Sequence, residues 1–133
     1  MKIPIRLAFV VGFLLVSGLA ASGQTPALGT VMREKLMHSQ RILGAIVTSD
    51  YATLDRESAA LLRATEGPAW SVLKTPEYSR QSEAFLRSVN ELVQAAKARD
   101  LDAAATAYVS VTMNCVGCHR YIARARIVTE PLK

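Results

Sequence analysis

Residues 101–122 read LDAAATAYVSVTMNCVGCHRYI. Leu101, Ala104, Tyr108, Val111, Cys115, Cys118 and Ile122 follow one another in alternating steps of three and four. That spacing keeps side chains on one face of an α-helix and does not fit a strand. The stretch is therefore an amphipathic helix, and both cysteines of the chain lie on its apolar line. A single helix cannot bury such a line on itself, so the rest of the chain must supply the surface that covers it.

The upstream segments have the same character. Thr75 as N-cap and Pro76 at the first helical position open a helix whose core line is Tyr78, Ser82, Phe85, Val89, Leu92 and Ala96. Lys97, Arg99 and Asp100 mark its end, and Asp102 is the expected cap of the last helix. A second helix is expected over Tyr51 to Thr65, with Leu54, Ser58, Leu61 and Leu62 inward and Asp55, Arg56, Glu57 and Arg63 outward. Gly67-Pro68 ends it, and Ala69 to Lys74 crosses an end of the fold with Trp70 covering the core. The first helix starts near Thr30, with Met32, Leu36, Ser39, Leu43 and Ile46 inward and Glu34, Lys35, His38 and Arg41 on the opposite face. Thr48, Ser49 and Asp50 offer capping oxygens for the tight turn that follows.

Four amphipathic helices with short first and third connections make an all-α, up-down-up-down four-helix bundle. The small residues Ser39, Ser58, Ser82 and Ala104 on its inner lines leave room for a planar group.

The 133 residues suffice for one domain with one core. Residues 1–23 are expected to be a signal peptide. Lys2 and Arg6 precede an apolar run from Leu7 to Val16, and small residues fill Ser17 to Gly23, with cleavage between Ala20 and Gln24. A retained anchor is the competing interpretation of that run. Residues 24–29 form a linker, 30–128 the helical domain and 129–133 a tail. No further membrane association is expected after cleavage. The net charge of +5 falls to +3 without Lys2 and Arg6, too little to argue for nucleic acid.

Cys115-Val116-Gly117-Cys118-His119 is a C-x-x-C-H motif, the pattern of covalent c-type haem attachment. Two thiols three positions apart can add across the two vinyl groups of one porphyrin, and the adjoining imidazole then becomes an axial ligand of the iron. The expected cofactor is one covalent haem c on Cys115 and Cys118, ligated by His119. A thioredoxin-like pair would want a βαβ setting, and the flanks here are helical. A zinc site would need four ligands, and only His38 is an obvious addition. Gly117 would keep a side chain away from the porphyrin edge at a cost of about 1 kcal/mol in helix propensity. Haem is attached to such motifs outside the cytoplasm, so motif and leader agree on a periplasmic location. Two ionised propionates would bring the charge near +1.

With this motif on the last of four helices, near the C-terminus, the sequence resembles the class II cytochromes c, the family of cytochrome c′ and its low-spin c-556 relatives. The likeness covers helix order and motif position over most of the mature chain. Only Cys115, Cys118 and His119 match a specific motif. The resemblance implies a single haem and often a homodimer. It also implies that a first-helix residue facing the iron sets the chemistry: methionine gives low-spin electron transfer, whereas an apolar blocker leaves the iron open to small gases.

Met32 and Met37 are the candidates for that position. Met32 lies eighteen residues before Asp50 and His119 eighteen after Leu101, so in antiparallel helices the two are level. Met37 lies about 7.5 Å deeper and roughly 140° round the helix. The family pattern favours Met37, because an arginine often stands four residues before the ligand, as Arg33 does here. The arginine that cytochromes c′ carry one turn after the haem histidine is replaced by Ala123, with Arg124 one step on, which weakens a gas-binding role. Arg33, Lys35, Arg120, Arg124 and Arg126 are expected at the haem end, as propionate partners or a docking rim. The expectation is a periplasmic monohaem carrier of single electrons between redox proteins, not an enzyme; the alternative is a cytochrome c′-like gas binder.

Overall fold

The computed structural model describes residues 28–67, 70 and 73–125. The expected signal peptide, most of the linker, the tail and Arg126 lie outside the described residues.

Four helices run in succession: α1 (Leu28–Thr48), α2 (Tyr51–Arg63), α3 (Pro76–Ala98) and α4 (Leu101–Ala125). They form the expected four-helix bundle. α1 packs on α2, α2 on α3, and α3 most extensively on α4, while α1 and α4 are the neighbouring pair with the least contact. The ring of helices therefore has one loose seam, between the first and the last. No described helix is long and apolar enough to cross a membrane.

The turns α1–α2 and α3–α4 are built alike. Ser49 and Arg99 adopt left-handed backbone, with φ of 57° and 55°. The next amide, of Asp50 or Asp100, donates back to the carbonyl of Ala45 (2.9 Å) or Ala95 (3.0 Å), closing the preceding helix as a Schellman motif does. The same aspartates then cap the next helix: Asp50 Oδ1 accepts from the amide of Thr53 (3.0 Å), and Asp100 Oδ1 from that of Ala103 (2.9 Å). The cap of α4 is thus Asp100 and not Asp102. Thr75 caps α3 through the amide of Tyr78 at 3.2 Å, as expected.

Ile42, Leu54, Leu61, Val89, Leu92 and Val111 fill the centre of the core. The expected line of α3 is buried throughout, and along α4 Ala104, Val111 and Cys118 are buried, with Tyr108 and Cys115 packed beside the core. Trp70 closes one end, its ring tilted against those of Phe85 and Tyr78, and the Tyr78 hydroxyl donates to its carbonyl at 2.6 Å.

α1 departs from expectation. Its buried residues are Val31, Lys35, Ile42 and Ala45, whereas Leu36 and Leu43 are 59% and 47% exposed. Val31, Lys35, His38, Ile42 and Ala45 form the same four-three alternation one residue away from the expected line. The bundle selects it because its two polar members find partners, His38 in a carboxylate and Lys35 in two aromatic rings. Glu57, expected outside, is 4% exposed for the same reason. Its carboxylate meets His38 Nδ1 at 2.8 Å, accepts from Arg56 Nε at 3.1 Å and lies 3.6 Å from Arg41.

Candidate functional site

Cys115 and Cys118 stand one turn apart on α4, half-buried and buried, and are not joined as a disulfide. Burial pushes both thiols up from their ordinary acidity, and the nearby Lys35 cation opposes the effect. In an apolar setting the protonated thiol is the stable form. His119, next along the chain, is exposed.

α3 fixes the rotation of α4. The Asn114 amide donates to the carbonyl of Ala84 and to Ser88 Oγ, both at 3.1 Å, and the Thr75 and Tyr121 hydroxyls meet at 2.9 Å. With Asn114 and Tyr121 turned to α3, the cysteines look into the bundle. Gly117 also faces α3: a Cβ there would lie 3.2 Å from Gln81 Oε1. Gln81 Oε1 is the end of a flexible side chain, so a Cβ at Gly117 would have to displace it by a few tenths of an ångström.

Across the interior, on α1, lies the side chain that sequence reasoning misplaced. Lys35 is 7% exposed, with its Nζ 3.5 Å from the Trp70 ring centre and 3.7 Å from that of Phe85. Both rings offer their negative faces to the cation. Lys35 makes no hydrogen bond or ion pair with a carboxylate among the described residues. Burial lowers its pKa to about 8, an effect that both neighbouring thiols partly oppose.

The sequence-designated methionines are placed differently from each other. Met32 is half-buried and packs against the core cluster. Met37 is 40% exposed. His38, taken for a solvated residue, is largely buried against Glu57. Arg33, Arg120 and Arg124 are exposed, while Lys35, grouped with them from sequence, points inward.

Two features fit a group held by the cysteines. Lys35 is a buried cation with no carboxylate beside it among the described residues. The Ser82 hydroxyl, on the inner line of α3, is buried without a hydrogen-bond partner. Ser82 adjoins the α3 segment that abuts Gly117, and burial and the nearby Cys118 raise the Tyr78 phenol in the preceding turn. These polar groups thus gather at the cysteine end of the interior, where a cofactor with its own polar and metal atoms could engage them. No set of three or more His, Cys, Asp and Glu side chains able to hold a bare metal ion assembles among the described residues.

No family model matches this chain, and comparison with curated proteins and with solved structures returned no match.

Proposed function

We propose that this chain is a periplasmic monohaem c-type cytochrome that passes single electrons between larger redox proteins. The observation that carries this reading is the pair of inward-facing thiols at Cys115 and Cys118, one turn apart on a bundle helix and followed at once by His119. Each thiol would add across one vinyl group, its sulfur bonding to the carbon next to the ring and its proton going to the terminal carbon, with no electrons gained or lost overall. His119 would give the iron a nitrogen ligand from the same helix. When bound, the haem supplies a one-electron ferric–ferrous couple.

The remaining work belongs to the chain. α3 sets the direction of the cysteines through Asn114 and Tyr121. Trp70 and Phe85 close the apolar end and limit the entry of water. Exposed Arg33, Arg120 and Arg124 offer a basic rim to an acidic partner or to propionates. A six-coordinate, low-spin iron is part of the proposal, with Met32 as the sequence's first choice of second ligand and Met37 as its alternative. The exposed Leu36, Leu43 and Val47 of α1 and Val109, Met113 and Val116 of α4 give a homodimer an apolar surface to use.

The test is protein exported from a host with haem-ligation machinery. Colour that stays with the polypeptide through acid–acetone extraction, together with an N-terminus beyond the leader, is the expected result. Colour that extracts, or exported protein still beginning at Met1, would overturn attachment or processing respectively. A high-spin ferric spectrum with ready carbon monoxide binding would replace the carrier by the gas-binding alternative.

A further inference from the structure

We propose that in the haem-loaded protein the amine of Lys35 is the second axial ligand of the iron, opposite His119. This rests on the covalent-haem reading above and replaces Met32 and Met37 at the second ligand position.

The first argument is position. Cys115, Cys118 and His119 all belong to α4, so a porphyrin tethered there takes its first ligand from α4 and needs a second helix to cover its other face. Of the two helices that flank α4, α1 is the one it touches less, so the loose seam lies between them. Lys35 is the α1 side chain that is buried and close enough to both thiols to exchange charge effects with each.

The second argument is cost. A buried ammonium without an anion destabilises a fold, and two aromatic rings offset this only in part. A methionine or leucine would fill the same space with no such penalty. What the amine adds is a nitrogen lone pair on a long, flexible stem, which can ligate iron once its proton has passed to water.

The third argument concerns the competitors. Met37 is 40% exposed and lies roughly 200° round the helix from Lys35. Met32 is only half-buried and packs on core side chains. The His38 ring is engaged by Glu57 at 2.8 Å. A nitrogen ligand in place of a thioether also removes the factor that raises the potential of His/Met haems, so the carrier would work at lower potential.

The experiment uses the exported holoprotein. Retention of haem after denaturation is scored first, and its failure would remove the haem reading without reference to Lys35. With haem in place, electron paramagnetic resonance and near-infrared magnetic circular dichroism of the ferric protein identify the axial pair. The expected result is a low-spin histidine–amine signature, nitrogen hyperfine coupling from isotopically labelled lysine, and no sulfur-to-iron charge-transfer band. Lys35→Met should lose that signature entirely, while Met32→Leu and Met37→Leu keep it. A thioether band in the wild type, or a high-spin wild-type iron, would overturn the proposal while leaving covalent haem intact. A low-spin wild type without lysine coupling, as expected if Lys35 paired with a propionate, would overturn it equally. Because the wild-type spectrum decides, a variant that fails to fold does not leave the question open.

Discussion

The Lys35 ammonium rests 3.5 Å above the centre of the Trp70 ring, so the charge on α1 is covered by the one tryptophan of the chain. In the haem-free chain this contact is a compromise. Burial lowers the Lys35 pKa to about 8, and the two neighbouring cysteine sulfurs offset that loss of hydration only in part.

Lys35→Met should therefore stabilise the haem-free protein, by about 2 kcal/mol at neutral pH. The variant is best made in a Cys115→Ser, Cys118→Ser background, where no thiol titrates. Between the folded value of about 8 and the ordinary 10.5, the unfolded chain holds a proton that the native state does not, so wild-type stability rises with pH through that window. Urea unfolding at pH 7 and pH 9 should show the advantage of the variant narrowing by about 1 kcal/mol. An advantage that is absent, or that grows with pH, would count against a buried cation at this position.

Glu57 predicts the opposite pH response. The hydrogen bond from His38, aided by Arg56 and Arg41, holds its carboxyl below the usual range despite burial. The resulting stability is fully present above the unfolded carboxyl value of about 4.3 and is lost as pH falls through the lower folded value. Glu57→Gln should cost about 1–3 kcal/mol at pH 7, with the difference from wild type shrinking in acid. Chemical denaturation at pH 7 and pH 3.5 measures both quantities.

Ser49 sits in left-handed backbone at φ 57°, where a Cβ is strained. Ser49→Gly should raise stability by about 0.5–1 kcal/mol, read as a higher urea midpoint with unchanged slope. Arg99→Gly should gain less, because the Arg99 guanidinium lies 5.8 Å from the Tyr51 ring centre and that attraction would be lost.

Asn114 ties α4 to α3 through Ala84 and Ser88. Asn114→Ala should destabilise by about 1–2 kcal/mol and lower the yield of doubly attached haem. Mass spectrometry of exported protein would show the second effect, and a yield equal to wild type would argue that the cysteines find their direction without this tie.

Most of the fold was legible from spacing alone. The line from Tyr78 to Ala96 is apolar at nearly every step and is buried as the alternation requires. On α1 the same rule misled. Two neighbouring lines share the four-three rhythm, and counting apolar side chains favoured the one through Leu36 and Leu43. What decided between them was pairing across helices, His38 with Glu57 and Lys35 with Trp70 and Phe85. Such pairing depends on which surfaces meet, which a single-helix pattern does not encode. The cysteine motif was fully legible because its members are neighbours in sequence. The placement of Lys35 was not, since residues from α1, α3 and the end-closing Trp70 meet there only after folding; an unusually regular Val31-Lys35-His38-Ile42-Ala45 series was the available clue.

The matched turns at Ser49-Asp50 and Arg99-Asp100 divide the bundle into two hairpins, each closed by bonds that span only a few residues. Short-range closure carries little entropy cost, so α1 with α2 and α3 with α4 can assemble early and quickly. The contact that joins the two ends of the chain, between α1 and α4, needs the longest excursion and has the least surface to reward it. A nascent molecule would then spend its folding time as a half-open book whose pages are already formed, with the thiols on the inner edge of the last page and the amine on the first. If Cys115 and Cys118 carry haem as proposed, the open book is the stage at which they are easiest to reach, and closing it brings Lys35 to the cysteines as the final event.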